Sequence, residues 1–379
     1  MNTKIFLLLL SLYQYTYAQK ETLIKNVTLF DGEKIITKAN ILFETGYITK
    51  VSNEPLTTDG KVIDGKGKFL MPALTNSHVH IWGEYLLNGA AKAGVLNTLD
   101  MAANEELSPL LKSVDKTNFA SYYSAGYAAT APEGHGTQFG FSLPTLTKVS
   151  EAEKFVADRL SAGADFIKII VEPRSPTLGH DIVAELITEA HRQQTIAVVH
   201  ASKMDDAYEV IKNGADGLVH LWTDKIMEDS VLQEWAKSND FFIIPTLILS
   251  NRYMKKATES GYEYKRVTVS NLQKQLKKLY EVGVPILVGT DPPNIGINFG
   301  TDIFEEMLLI SEAGVPNIEV LKGATSLPAD KFNLSQKGYL RKGYKADMLL
   351  IDGNPILNIS DISNQEMVWK SGNLLDKKQ

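Results

Sequence analysis

Cysteine is absent from all 379 residues. That excludes disulfides and thiolate ligands, so any metal site in this chain must be built from histidine, carboxylate and lysine. Also missing is a basic patch or Lys/Arg run: 39 Lys and Arg stand against 45 Asp and Glu, a net charge of -6. This balance argues against nucleic acid or an anionic membrane as a partner. There is no internal repeat or low-complexity tract, and the apolar stretch at the amino end, Ile5 to Leu12, is far short of the ~20 residues that cross a bilayer.

That stretch reads instead as part of an export signal. Lys4 supplies the positive end, Ile5 to Leu12 the apolar segment, and Thr16-Tyr17-Ala18 the small residues of a cleavage site. Residues 1–18 are therefore expected to be removed, leaving a soluble periplasmic or secreted protein with no membrane association. Without a cysteine at the cleavage point there is no lipid anchor. An uncleaved amino-terminal anchor is the alternative.

Short alternating strands follow: Thr22 to Phe30, Asn40 to Glu44 and Tyr47 to Val51, the last two joined by a tight hairpin at Thr45-Gly46. Similar segments, Asp347 to Ile351 and Met367 to Lys370, return at the far end. A small β-sandwich-like domain built from residues 19–68 and 334–379 is expected, with the chain ends meeting. Between them, strand-like runs alternate with helical patterns, which predicts parallel β/α units. The strands are Phe69–Leu74, Val95–Met101, Phe119–Tyr127, Asp165–Val171, Thr195–His200, Gly217–His220, Phe241–Thr246 and Pro285–Gly289. Glu151 to Ala162, Asp181 to Gln194, Asp205 to Asn213 and Asp229 to Ser238 have helical spacing. Gly163, Gly214 and Gly283 sit where left-handed helix ends want a residue without a side chain. Eight such units in residues 69–333 match an α/β fold of the (β/α)8 TIM-barrel type, usually ~250 residues. An open doubly wound sheet is the rival, but no Gly-rich phosphate loop follows the first strand.

His78 and His80 close the run that starts at Phe69. In a strand, residues two apart project to one face, so this pair is either a two-nitrogen grip on a metal ion or a pair of polar strand-end residues bonded to backbone. The other candidate ligands favour the grip. Lys168 lies in the fourth strand, His200 ends the fifth, His220 ends the sixth and Asp291 follows the eighth. Strand C-termini converge on one barrel face, where catalytic groups gather.

Lys168 is the most telling of the six, because Phe166-Ile167-Lys168-Ile169-Ile170 is otherwise apolar. A buried ammonium is expensive and tends to lose its proton unless an interior carboxylate pairs with it. A neutral buried amine can add carbon dioxide, and the resulting carbamate can serve as an oxygen ligand between two cations.

In these features the chain resembles the amidohydrolase superfamily, in particular its binuclear, prolidase-like and imidazolonepropionase-related branch. The similarity runs from His78-Val79-His80 through Phe166–Ile170, Val198–Ser202, Gly217–Leu221 and Gly289-Thr290-Asp291 to the Arg341–Met348 entry into the last β segment. The resemblance implies two divalent cations. His78, His80 and Asp291 would hold the more buried one, His200 and His220 the second, and carboxylated Lys168 would bridge them together with a hydroxide. Zinc suits these ligands, as do manganese, iron or cobalt.

Such a pair of cations activates water and polarises a carbonyl. Asp291 touches the nucleophile's proton and is expected to act as base, then acid; otherwise it is a helix cap before Pro292 and Pro293. His135, in the glycine-hinged loop Pro132-Glu133-Gly134-His135-Gly136, is a catalytic and substrate-binding candidate, since related enzymes carry a similar loop that can bond the substrate carbonyl. Otherwise it is a loop histidine of no consequence. Arg174 can clamp a substrate carboxylate or be a surface arginine, Tyr127 can line the pocket or pack against it, and His180 lies in the loop after the fourth strand. His191 reads as structural or solvent-facing.

The leading expectation is a hydrolase of an amide bond in a dipeptide, N-acyl amino acid or cyclic amide. A mononuclear nucleobase-type deaminase is the alternative, but Lys168 is present and Ala201-Ser202-Lys203-Met204 has no glutamate of the kind deaminases place beside this histidine. Lactone or phosphotriester hydrolysis and a noncatalytic barrel complete the possibilities; the last predicts lost ligands. The partner is a small molecule, and a homo-oligomer is left open.

Overall fold

The computed structural model describes residues 21–114, 116–237 and 240–376, so the expected export signal lies outside the described residues. Both ends of the described chain enter one eight-stranded sheet. Its path runs Asn373–Leu374, Gln365–Lys370, Met348–Ile351, Phe69–Pro72, Thr22–Phe30, Ile35–Glu44 and Tyr47–Ser52, with Lys61–Asp64 paired to Thr22–Phe30. The hairpin falls at Thr45 and Gly46, whose φ angles of 49° and 90° are those of the mirror-image turn that suits twisted strands. Leu29, Ile41, Leu70, Met348 and Trp369 pack on one face of this sheet.

The run Phe69–Leu74, expected as the first strand of the central block, is divided. Phe69–Pro72 belongs to the end sheet, parallel to Thr22–Phe30 and antiparallel to Met348–Ile351. The strand leading to the histidine pair is Leu74–Val79. Pro72 has no N–H to extend the ladder, and Ala73 turns the chain by donating to the Asp347 carbonyl (3.0 Å).

Seven parallel strands form the central part. Leu74–Val79, Val95–Asp100 and Ser121–Ser124 make one sheet; Ile167–Val171, Ala197–Ala201, Gly217–Val219 and Phe242–Ile244 make another. Backbone bonds continue between them at Ala129, which donates to Lys168 O (2.8 Å) and accepts from Ile170 N (2.9 Å). The eighth expected strand, Pro285–Gly289, forms only one ladder bridge, Ile286 to Ile243. Its segment nonetheless bonds to both neighbours: Ile243 N to Pro285 O and Leu287 N to Ile243 O on one side, Ser77 N to Val288 O on the other, at 2.8–2.9 Å. The four expected helices are present as Ala152–Ser161, His180–Arg192, Met204–Lys212 and Asp229–Trp235. Gly163, Gly214 and Gly283 all take φ near 90°. Further helices include Glu84–Lys92, Leu247–Glu259, Val269–Glu281 and Ile303–Glu312.

Alternation along the strands builds two apolar layers. Ile167, Ile169, Val199 and Ile243 join the large core that contains the helices. Leu99, Phe166, Val198, Val219, Phe242 and Leu287 form a separate inner cluster. Lys168 is two residues beyond Phe166 and His200 two beyond Val198, so each shares a face with its inner-cluster neighbour. The polar groups therefore sit at the C-terminal end of an apolar plug.

Candidate metal centre

His78 is buried inside its strand, and its Nε2 lies 3.3 Å from His80 Nε2 and 3.3 Å from Asp291 Oδ1. His80 Nε2 stands 3.0 Å from the same carboxylate oxygen. Asp291 is brought there by backbone pairing, its N–H donating to the His78 carbonyl (2.9 Å), and by the Asn294 side-chain amide, which donates to Oδ1 (2.9 Å). His220 approaches from the other side, with Nε2 at 4.0 Å from Asp291 Oδ2. One ligand atom from each of His78, His220 and Asp291 lies within 4.8 Å of the others. Imidazole nitrogens converging on one carboxylate are an acceptor-rich set, and a divalent cation of the zinc type fits such donors.

Three of the non-glycine residues with left-handed φ lie at the same place. His220, Thr246 and Asp291 take left-handed φ angles of 70°, 46° and 63°. For a β-branched residue such as Thr246 this conformation is a genuine outlier, sustained only where surrounding structure holds it. Thr246 Oγ1 lies 2.6 Å from His220 Nδ1, leaving His220 Nε2 toward Asp291. The helix Leu247–Glu259 begins at once, and the fully buried Glu306 caps it by accepting from Leu247 N (2.9 Å) and Ile248 N (2.7 Å). Burial pushes the Glu306 carboxyl up to about 8, against the opposing pull of these two N–H groups.

A cavity of about 160 Å³ is lined by all six expected ligands, His78, His80, Lys168, His200, His220 and Asp291, and by His135. Burial lowers Lys168 to about 7, against the partial opposition of the Asp291 charge. Burial would also raise Asp291, but His78, His80 and His220 outweigh it and hold the carboxyl well below the usual range. His135 stacks on His200 with ring centres 5.4 Å apart, and burial followed by the nearby His200 lowers it to about 4.

His200 stands slightly apart from the tight group. Its ring centre is 4.7 Å from that of His220, while its Nε2 lies 3.3 Å from Glu172 Oε2. Glu172 is a buried carboxylate that the sequence reading passed over; it does supply an acid beside His200, from the end of a different strand. It is held by Ser202 Oγ (3.1 Å) and by Arg174, whose Nε and terminal nitrogen reach its two oxygens at 2.8 and 2.6 Å. Arg174 lines the cavity, but those donors are already engaged. Tyr127 does not line it: the ring stacks on Phe141 and lies under Arg159. His180 opens a helix and faces Asp206 at 3.3 Å rather than the cavity. His191 is on the outside, paired with Asp216 (2.8 Å).

Asp100 was also missed, although it ends a parallel strand where such residues collect. Its Oδ2 accepts from Ile81 N (2.9 Å) and Tyr122 Oη (3.0 Å), and its Oδ1 lies 3.8 Å from His80 Nδ1. It grips the chain immediately after the second histidine.

Comparisons with known proteins bear on the family and the fold. A profile of the Amidohydrolase family matches residues 69–375. A 5-methylthioadenosine/S-adenosylhomocysteine deaminase of Carboxydothermus hydrogenoformans is 25% identical over 373 residues, covering 88% of this chain and 84% of the relative. A 5'-deoxyadenosine deaminase of Methanosarcina mazei is 24% identical, covering 84% of this chain and 80% of its own. Among solved structures, a Xaa-Pro dipeptidase with bound methionine superposes with a TM-score of 0.79 at 20% identity, covering 94% of this chain and all of the other (100%). The Aspergillus niger ochratoxinase reaches 0.76 at 20% identity, covering 94% and 96%. These likenesses to solved structures speak for the fold. With a strand-end cluster of histidines and an aspartate around one cavity, and the family profile spanning most of the sequence, the chain belongs to the amidohydrolase family, metal-dependent enzymes acting on C–N bonds.

Proposed function

We propose that this protein hydrolyses an amide C–N bond of a small substrate, such as a dipeptide, an N-acyl amino acid or a cyclic amide. The observation that carries this reading is Lys168, a buried amine with a depressed pKa lining the same cavity as five histidines and Asp291. Carboxylated by carbon dioxide, it adds a carboxylate to the donor set, enough with the other five ligands for two cations. Divalent ions held there supply acidification of a water and polarisation of the substrate carbonyl.

The chain's own groups do the rest. Asp291, ionised and anchored by His78 O and Asn294, is placed to take a proton from the attacking water and return it to the leaving amine. His135, on its glycine-hinged loop and neutral at pH 7, is placed to donate to the substrate carbonyl oxygen. Thr246 sets the orientation of His220, and Asp100 that of His80. We read the parallel strands and the doubly bonded segment 285–290 as a (β/α)8 barrel, and the sheet from both chain ends as a separate small domain. Export to the periplasm or medium remains part of the proposal, resting on residues 1–18.

A second reading is hydrolytic deamination of an adenosine-like ring. The names of the curated relatives favour it over amide cleavage, and Glu172 beside His200 removes the objection that no acid is near. Lys168 favours the first reading. The deciding experiment incubates the metal-loaded protein with dipeptides, N-acyl amino acids, lactones and 5'-deoxyadenosine-type nucleosides, and counts metal per chain. Amide turnover with two ions supports the proposal; ammonia release from nucleosides with one ion overturns it. Asp291→Asn is expected to abolish turnover while retaining much of the metal, and full activity in that variant removes its role.

A further inference from the structure

We infer that Arg266 is the anion-recognition residue of this cavity, selecting substrates that carry a carboxylate. This rests on the reading of the cavity as the substrate site, and deepens it. Two arginines line the wall, Arg174 and Arg266. Arg174 is committed to Glu172 through two charge-assisted bonds, at 2.6 and 2.8 Å. No Asp or Glu among the described residues lies within ion-pair distance, 4.0 Å, of Arg266.

Arg266 is also held in place. Its guanidinium carbon lies 5.6 Å from the ring centre of Tyr253, another cavity residue. The next residue, Val267, donates its N–H to Thr223 O (2.9 Å), tying this loop to the segment that follows His220. A half-buried guanidinium restrained by an aromatic face has lost part of the freedom that binding would otherwise take from it. Its forked donors match a carboxylate. The ligand class is therefore a molecule with a reacting C–N bond over the metal ligands and a carboxylate at Arg266.

The test uses two pairs: N-acetylmethionine against its carboxamide, which differ at the carboxylate alone, and S-adenosylhomocysteine against 5-methylthioadenosine, which differ by a whole carboxylate-bearing amino-acid group. Binding of all four to the metal-loaded full chain is measured by calorimetry, and turnover is followed separately. In at least one pair the carboxylate member is expected to bind about 10- to 100-fold more tightly. Arg266→Met should erase that difference, Arg266→Lys should keep part of it, and neither should change metal content or affinity for the neutral member. Equal binding within both pairs, absence of binding by all four, or a preference that survives Arg266→Met overturns the assignment. Turnover only of the nucleosides, with the carboxylate preference intact, would instead overturn the amide-hydrolase reading and leave Arg266 in its role.

Discussion

Gly289 stands where the histidine strand meets the segment carrying Asp291, and replacing it by alanine tests how tightly this site is built. A β-carbon there falls 2.6 Å from Ile244 Cγ2, 2.9 Å from His78 N and 3.0 Å from His78 Cβ. Ordinary carbon contacts run ~3.5–4.0 Å, so neighbours must retreat by roughly 0.5–1 Å. Ile244 can rotate in part. The His78 backbone cannot move freely, because Ser77 N–Val288 O and Asp291 N–His78 O, each 2.9 Å, pin the two segments on both sides of Gly289. Overpacking of this kind costs about 1–3 kcal/mol, and shifting His78 against Asp291 should weaken metal binding roughly 10- to 100-fold. Gly89→Ala is the control: it lies on the exposed side of the helix Glu84–Lys92 and a β-carbon there meets no atom within 4 Å. That change should add roughly 0.5–1 kcal/mol of stability. Urea denaturation of the metal-free forms and chelator competition on the loaded forms provide both readouts. A Gly289→Ala protein with the wild-type unfolding midpoint and metal affinity would refute the reasoning.

Other outcomes follow from the same contacts. Thr246→Val removes the hydroxyl 2.6 Å from His220 Nδ1 and should weaken metal binding roughly 10- to 100-fold, with the fold retained by circular dichroism. Lys337→Met leaves the buried Asp347 without its cation, 2.5 Å away, and should cost ~3–5 kcal/mol in urea denaturation; a loss below ~1 kcal/mol would show that the pair is well solvated. For Glu306, whose folded value of about 8 exceeds its ordinary 4.5, the folded state keeps a proton that the unfolded chain releases. Its contribution to stability therefore declines as pH rises from about 4.5 through about 8. Glu306→Gln should flatten that part of the stability-versus-pH curve; an unchanged slope would show that the two capping N–H groups hold the carboxyl ionised.

How much could be read in advance depended on the residues concerned. His78, His80, Lys168, His200, His220 and Asp291 were legible because each interrupts or ends an apolar run, and a polar residue in such a place is informative wherever it lies in the chain. The split at Pro72 was not, since six consecutive apolar residues carry no mark of which sheet will claim them. Helices Leu247–Glu259 and Val269–Glu281 escaped notice although their apolar residues follow helical spacing. Arg174 and Tyr127 were candidates by position alone. Only their neighbours, Glu172 for one and Phe141 with Arg159 for the other, decide where their side chains are spent.

Local chemistry, then, determined the strand-end placement, the candidate ligand types and the exclusion of thiolate, because these depend on alternation and composition within a few residues. Tertiary structure alone decided that Glu172 lies against His200, that Thr246 is forced into a left-handed turn to meet His220, and that Arg266 faces the cavity without an acidic neighbour. Each of these joins segments dozens of residues apart. Through-space contacts of that kind are set by how packed elements exclude water and one another, which no single stretch of sequence encodes.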